Sequence, residues 1–403
     1  MKRLYLYDDF KARSFAPFAL TRPVSELRAG AELIRLRWER AAAGKAFGFI
    51  SSPHLTDFAE FDSPPAAHSD ATAPAGSVVV NSRFVVALDA RIDDTSGAFI
   101  ADGLICAVRL RKSTDISGLL DGSQNLESLV PADVVPAKLP GRWLSEVWNL
   151  VGDLQTQLGE DIPLMGSRLS GAAIEKATVI GKHSIYLETG AQIEPFVVLD
   201  ASDGPILIRR GATIASFTRI FGPTYIGENT HIVGDSIRGC SIGDVCKVRG
   251  EISSTILLGH SNKGHTGFVG NSYLGRWVNL GAGTTTSNLK NTYGPVSLWT
   301  PDGTRDTGLQ FLGSLIGDHA KLGIGTMLTT GCVVGAGANV FGAHVTPKVV
   351  PPFAWGEQEP WSRNEFERFC EVTERMMERR HVTLEGKTKA QLEAAYRLSG
   401  DPA

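Results

Sequence analysis

Aliphatic residues recur every six positions over two long stretches of the chain. The first holds Ile208, Ile214, Ile220, Ile226 and Ile232; the second holds Ile316, Leu322, Leu328, Val334 and Val340. The same beat surfaces between them at Ile242 and Val248, and at Leu274 and Leu280. A period of six fits neither the 3.6 of an α-helix nor the 2 of a half-buried strand, and it is a signature of a parallel β-helix. Four positions after each aliphatic residue the chain is usually small, as at Ala212, Thr218, Thr224, Thr230, Ser236, Ala320, Thr326, Cys332 and Ala338. A triangular coil needs this pairing, because the aliphatic side chain fills an inner layer while the small residue lets the corner turn tightly. Alternating sandwich strands cannot hold a six-residue register for five units.

The beat predicts a solenoid from near Leu164 to near Val350, interrupted over residues 255–273 and 284–315. Insertions in a solenoid map to loops and often build the binding face. Upstream the pattern is that of an α/β domain. Strands are expected at Leu4-Tyr-Leu-Tyr7, from Ala46 to Ile50, at Val78-Val-Val80 and from Ala98 to Leu110. A helix is expected from near Ser25 to Arg40, with Ala31, Ile34 and Trp38 on one face and Gly44 as its stop. A polar, proline-bearing loop covers residues 63–76. A second helix, carrying Leu144, Val147, Val151, Leu154 and Leu158 in phase and stopping at Gly159, bridges to the solenoid. At the far end Ser362-x-x-Glu365 and Thr388-x-x-Gln391 have capping-box form and predict two helices. The stripe Phe366, Phe369, Cys370 and Met377 is that of a core or end-cap face. The domains expected are therefore 1–160, 161–352 and a helical tail over 353–403.

Bulk properties narrow the function classes. A chain of 403 residues with a net charge of −3 presents no basic field for nucleic acid or an anionic membrane. No apolar run reaches about 18 residues, so neither a membrane span nor a signal peptide is expected. The five cysteines are odd in number and form no C-x-x-C pair, which argues against structural disulfides or a zinc knuckle and for a reducing cytoplasm.

The densest polar cluster lies between the regular runs: Gly259-His-Ser-Asn-Lys-Gly-His265, followed by Tyr273-Leu-Gly-Arg-Trp-Val-Asn279-Leu-Gly-Ala282 and on to Asn288-Leu-Lys290. A histidine in a glycine-rich loop is a candidate general base, since imidazole titrates near neutrality. Lys263 and Lys290 are candidate phosphate-facing cations. His260 and His265 also have a spacing seen in zinc-binding carbonic anhydrases of solenoid form, but that site needs a third histidine and His231 is out of phase for it. Gly281-Ala-Gly283-Thr lacks the Gly-Lys-Ser/Thr ending of a phosphate-binding loop. No metal ligands are assigned.

The run from Lys263-Gly-His265 through Asn279-Leu-Gly-Ala282-Gly-Thr to Asn288 resembles the acetyltransferase half of the bifunctional N-acetylglucosamine-1-phosphate uridylyltransferase/glucosamine-1-phosphate acetyltransferase (GlmU) family. Nearly the whole chain resembles a GlmU-like family of sugar nucleotidyltransferases. The features that carry this include Leu20-Thr-Arg-Pro-Val-Ser-Glu-Leu-Arg28, Leu289-Lys-Asn-Thr-Tyr-Gly294 and Phe353-Ala-Trp-Gly356. The resemblance implies a left-handed parallel β-helix after a nucleotidyltransferase-like domain, in a homotrimer whose acyl-CoA sites are shared between neighbours. It implies acyl transfer from acetyl-CoA to the amine of a sugar phosphate or sugar nucleotide. His265 falls on the base, Asn279 and Asn288 on sugar-contacting positions, and Ala282 where the backbone meets the acyl donor. Phe268 and Leu289 stand where the family has tyrosines that contact the sugar phosphate, and the segment through Trp299-Thr-Pro-Asp-Gly303 is longer.

Pro17-Phe-Ala-Leu-Thr-Arg-Pro-Val24 is similar to the P-L-T-x-x-x-P-K segment of sugar-1-phosphate nucleotidyltransferases, which implies a nucleoside triphosphate and Mg²⁺ as the alternative chemistry. Here Asp8-Asp-Phe-Lys-Ala-Arg-Ser14 replaces the glycine-rich loop, and Val24 replaces the lysine. Arg13, Arg22 and Arg28 are the candidate phosphate contacts in their stead. A degenerate domain serving as a non-catalytic sugar-nucleotide-binding scaffold is the third reading.

Overall fold

The computed structural model describes residues 3–67 and 72–401, and the chain divides into two compact units. One comprises Met1–Val147 with Glu385–Leu398; the other comprises Trp148–Leu384 with the last residues. The expected α/β domain, parallel β-helix and C-terminal helices are all present.

In the first unit β1 (Leu4–Tyr7), β2 (Ala46–Ile50), β3 (Val78–Asn81), β4 (Ala98–Ala101), β5 (Leu104–Arg109) and β6 (Ala137–Lys138) form one mixed sheet. Its strand order is β6-β4-β5-β3-β1-β2, with β1 parallel to both β2 and β3. The run from Ala98 to Leu110 is two antiparallel strands, because Asp102 and Gly103 both take positive φ, at 49° and 80°, and make a tight turn. The helix expected from Ser25 begins only at Ile34, as α2 (Ile34–Ala41) after the single turn α1 (Phe10–Arg13). Gly30, at φ 62°, reverses the chain and lets Arg28–Ala29 pair with Glu32–Leu33, which consumes the first turns of the expected helix. Of the loop over 63–76, residues 68–71 lie outside the described residues, and Thr72–Ala73 pairs with Thr114–Asp115.

The second unit opens with a single helical turn at Asn149–Gly152, followed by α3 (Leu154–Gly166), which runs through Gly159 rather than stopping there. A glycine in a helix costs about 1 kcal/mol relative to alanine. That is too little to end a helix anchored by the fully buried Leu154, Leu158 and Ile162. The first coil strand is accordingly Ala177–Gly181, later than the expected start near Leu164. From there parallel strands stack coil on coil. One inner column runs Leu187, Ile208, Ile226, Ile242, Leu257, Leu274, Ile316, Val334, Val350, and every member is 5% exposed or less. A second runs Ile193, Ile214, Ile232, Val248 and later Leu280, Leu322, Val340.

Residues 255–273 do not interrupt the solenoid. Ile256–Leu257, Asn262–Lys263 and Phe268–Gly270 each pair with the coils on either side or the one before. The beat vanished from the sequence there because Lys263 takes the inner place between Val248 and Leu280. Within residues 284–315, Thr285–Thr286 and Ser314–Ile316 still pair with the following coil; the insertion lies between them, built around the antiparallel hairpin Ser297–Thr300 with Gly303–Asp306, and Leu274 still pairs with Ile316.

The two C-terminal helices are α4 (Phe366–Glu378) and α5 (Gly386–Ser399). Neither expected capping box forms. Ser362 lies in a strand paired with Trp355, and α4 is capped by Glu365 without a side-chain hydrogen bond. Thr388 lies inside α5 and its hydroxyl donates to the Ala59 carbonyl at 2.8 Å. Phe369, Cys370 and Met377 are buried as the apolar stripe requires. Among the described residues no helix is long and apolar enough to cross a membrane.

Candidate active site

Lys263 is the residue around which the site is built. Its neighbour Asn262 pairs with Asn279, which sets the Lys263 side chain inward, 1% exposed, among aliphatic residues. A buried ammonium must find acceptors. This one donates to the His265 carbonyl at 2.6 Å and the Thr266 carbonyl at 2.9 Å. Burial brings its pKa down to about 8, against a smaller opposing effect of Asp235. The loop is thus clamped from inside the coil while the His265 side chain stands exposed. Gly267 closes the clamp: it holds φ 132°, and a Cβ there would lie 2.3 Å from the Thr284 carbonyl and 3.2 Å from the Lys263 Nζ. Only glycine fits.

The next coil supplies the remaining residues. The Gly283 N–H donates to the Thr266 carbonyl at 3.0 Å, so the corner holding Ala282 is stacked directly on the His265 loop. Asn279 Oδ1 accepts from Asn262 Nδ2 at 3.1 Å. Asn288 Nδ2 donates to Asn271 Oδ1 at 2.8 Å, beside the ring of Phe268, whose N–H reaches Thr285 Oγ1 at 3.4 Å. His265, Ala282, Asn279 and Asn288 are therefore on two consecutive coils. The two lysines are otherwise engaged: Lys263 as above, and Lys290 through a 2.9 Å bond from Nζ to the Pro295 carbonyl, within the insertion. Neither ammonium is directed at the His265 loop's outer face as a phosphate contact would be.

Sequence reading missed what lies outward of Asn262 and Asn279. Residues one place before each inner position form an outward column: Thr213, His231, Lys247, Asn262, Asn279, Lys321, Asn339 and Trp355. Helix α4 faces this column across a cavity of about 320 Å³, lined by Asn262, Asn279, Lys321, Arg375, Arg379 and Arg380 among others. The register was the available signal, since Thr213, His231, Lys247, Asn279, Lys321 and Asn339 each immediately precede a member of the periodic set. His260, on the same rim, packs against Trp277 with ring centroids 4.5 Å apart and planes tilted by 46°, and its Nδ1 is 3.2 Å from Arg276 Nη1. His231, in the column itself, has Nδ1 2.6 Å from Thr213 Oγ1. Among the described residues no three His, Cys, Asp or Glu side chains cluster as metal ligands.

In the α/β unit the three arginines expected to meet phosphate are tied to the protein. Arg13 donates to the carbonyls of Asp8, Leu120 and Leu119. Arg22 is 2% exposed and pairs with Glu60 at 2.8 Å. Arg28 is 3% exposed and donates to the Ala31 carbonyl at 2.6 Å. Nor do the two aspartates fit Mg²⁺. Asp8 is buried, accepts from Ser51 Oγ at 2.6 Å and the Val24 N–H at 3.1 Å, and burial raises its pKa. Asp9 caps α1 and is held by Arg83 at 2.6 Å and Asn81 at 2.8 Å. Burial alone would raise the Asp9 pKa, but these partners outweigh it and hold the carboxyl below its ordinary range.

Comparison with known proteins finds similarity over parts of the sequence. Residues 4–168 match the family described as sugar nucleotidyl transferase. The GlmU bifunctional protein of Methanococcus vannielii is 33% identical over 124 residues, 30% of this chain and 28% of its own length. That of Synechococcus sp. CC9311 is 25% identical over 258 residues, 61% of this chain and 50% of its own. The bifunctional sugar-1-phosphate nucleotidylyltransferase/acetyltransferase of Sulfurisphaera tokodaii is 30% identical over 159 residues, 36% of this chain and 38% of its own. The chain thus spans at most about half the length of these relatives. Solved structures that align include a Bacillus cereus putative acetyltransferase, at 17% identity, 55% of this chain, 98% of that one and a TM-score of 0.23. The N-acyltransferase AntD of Bacillus cereus aligns at 13% identity over 55% of this chain and 96% of that one, with a TM-score of 0.24. At such scores the fold rests on the coil pairing within this chain. In sequence the chain is GlmU-like, with a sugar nucleotidyl transferase segment over residues 4–168 and similarity to parts of the bifunctional nucleotidyltransferase/acetyltransferases.

Proposed function

We propose that the solenoid transfers an acyl group from acyl-CoA to the amine of a sugar phosphate or sugar nucleotide, with His265 as general base. The observation that carries this reading is an exposed imidazole on a loop whose backbone is fixed from within by Lys263, at 2.6 and 2.9 Å. Fixed geometry matters because a base must meet its proton within hydrogen-bond reach. In the reaction the amine nitrogen attacks the thioester carbonyl and His265 Nε2 or Nδ1 takes the proton released. The tetrahedral intermediate then collapses, the C–S bond breaks, and the imidazolium returns a proton to the leaving thiolate. Asn279 and Asn288 supply amides that both donate to and accept from sugar hydroxyls. Ala282, stacked beneath the His265 loop, offers backbone to the acyl donor. Phe268 and Leu289 lack the hydroxyls of the family's sugar-phosphate contacts, which favours an acceptor other than glucosamine 1-phosphate. We place the working assembly as a homotrimer. Met327 and Val345, paired in register and exposed beside Ile324, support an apolar contact between copies.

The second reading, nucleotidyl transfer by the α/β unit, is favoured by the family match over residues 4–168 alone. Its test is the product. The full chain is assayed across amino-sugar phosphates and sugar nucleotides, following thiol release from acyl-CoA and pyrophosphate release from nucleoside triphosphates in parallel. Thiol release with at least one amino sugar is expected. Pyrophosphate without thiol would favour the second reading, and neither signal a non-catalytic scaffold.

A further inference from the structure

The cavity between the outward column and α4 has a chemistry that the acyl-transfer residues do not explain. Its walls hold four cationic side chains, Lys321, Arg375, Arg379 and Arg380, and no carboxylate. Val372, Arg375, Met376 and Arg379 recur at helical spacing, so α4 turns two arginines and two apolar residues toward the column. Arg375 is ion-paired with Glu371 at 3.1 Å, and both side chains are largely exposed. Arg380 Nη2 lies 3.4 Å from Asn262 Oδ1, which draws the end of α4 onto the column. Lys321 Nζ donates to the carbonyls of Trp277 at 2.9 Å and His319 at 2.8 Å, leaving one N–H of its three. A cation at a helix C-terminus complements the helix dipole, and that accounts for one of these charges. It does not account for four around one cavity.

We propose that this cavity binds a phosphate or diphosphate group, held by Lys321, Arg379 and Arg380 with Asn279 placed to meet the adjoining hydroxyls. A cavity of about 320 Å³ is at the small end of ligand sites and suits a sugar phosphate better than a whole cofactor. Guanidinium groups match phosphate oxygens in a planar fork, and such charge-assisted bonds are the stronger class. Burial alone brings the Lys321 pKa down to about 7, and a bound anion would restore its charge. The site rests on the acyl-transfer reading only for the identity of the molecule that bears the phosphate. Its recognition of phosphate stands apart from turnover.

The test is equilibrium binding to the full chain by calorimetry, with pyrophosphate, glucosamine 1-phosphate and coenzyme A as separate probes. The variants are Arg379→Gln/Arg380→Gln and Lys321→Met, with Arg397→Gln on α5 as a charge control and circular dichroism to verify folding. The expected result is a loss of about tenfold or more for pyrophosphate in both pocket variants, none in the control, and weaker wild-type binding as salt is raised. A parallel loss for the sugar phosphate assigns the pocket to the acceptor; a parallel loss for coenzyme A assigns it to the donor. Unchanged affinity for all three probes in the folded variants, or wild-type binding insensitive to salt, overturns the proposal. Because no turnover is read, an inactive but phosphate-binding protein would count against acyl transfer and leave this site standing.

Discussion

Lys263 illustrates how one residue couples folding to chemistry. It stands in a column of aliphatic side chains, and its ammonium is held by two loop carbonyls. Replacing a buried polar group with a well-packed apolar one is often neutral or stabilising by about 1–4 kcal/mol. Lys263→Met is therefore expected to leave the solenoid as stable or more stable in denaturant titrations, while acyl transfer falls because the His265 loop is released. A variant that loses stability and keeps activity would contradict this. The pH dependence follows from the pKa of about 8 in the fold against about 10.4 in the unfolded chain. Below pH 8 both states carry the proton and the cost of burying charge is present in full. Above it the native state sheds the proton first, so stability rises up to about pH 10.4. Wild type should show that rise in unfolding midpoints and Lys263→Met should lack it. Asp9 moves stability with pH in the same direction, here because its charged form is favoured in the fold rather than penalised. Its lowered pKa contributes stability above the ordinary carboxylate range, lost as acid protonates it. Asp9→Asn leaves Arg83 half-satisfied and is expected to cost the α/β unit about 3 kcal/mol at neutral pH, measured by chemical denaturation.

At the scale of elements, the solenoid was legible because every coil must fill the same inner layers. A six-residue beat is the direct imprint of that demand. Where a layer accepts something else the imprint fades, although the coil does not. Lys263 hid a continuous coil over residues 255–273 and made it read as an insertion. Local motifs failed for the complementary reason. Ser362 has the sequence of a helix cap, but pairing with Trp355 takes its backbone into a strand. Gly30 turns the chain into a hairpin where the apolar spacing alone implied a helix. Of the candidate site, His265, Asn279, Ala282 and Asn288 were visible through a family resemblance and fall on consecutive coils. Arg379, Arg380 and Lys321 were not, because they are brought together only when α4 folds back onto the outward column. Ile226→Ala, in the middle of the first inner column, is expected to destabilise the solenoid by about 2–5 kcal/mol in urea titrations. A loss below about 1 kcal/mol would mean the column is not continuously packed.

The whole molecule joins a nucleotidyltransferase-like unit, whose arginines and aspartates are spent on its own structure, to a solenoid that presents an exposed imidazole on a loop with a tethered backbone. A trimer predicts a light-scattering mass three times the 43.2 kDa chain, and a monomer at micromolar concentration would remove the shared acyl-CoA cleft from the scheme. The most direct measurement is the rate of thiol release from acetyl-CoA with an amino-sugar phosphate that wild type accepts, compared with His265→Ala at equal, verified fold. General-base catalysis contributes about 10²- to 10⁴-fold, so the variant should retain no more than about one per cent of the rate. Undiminished thiol release by His265→Ala would contradict the assignment.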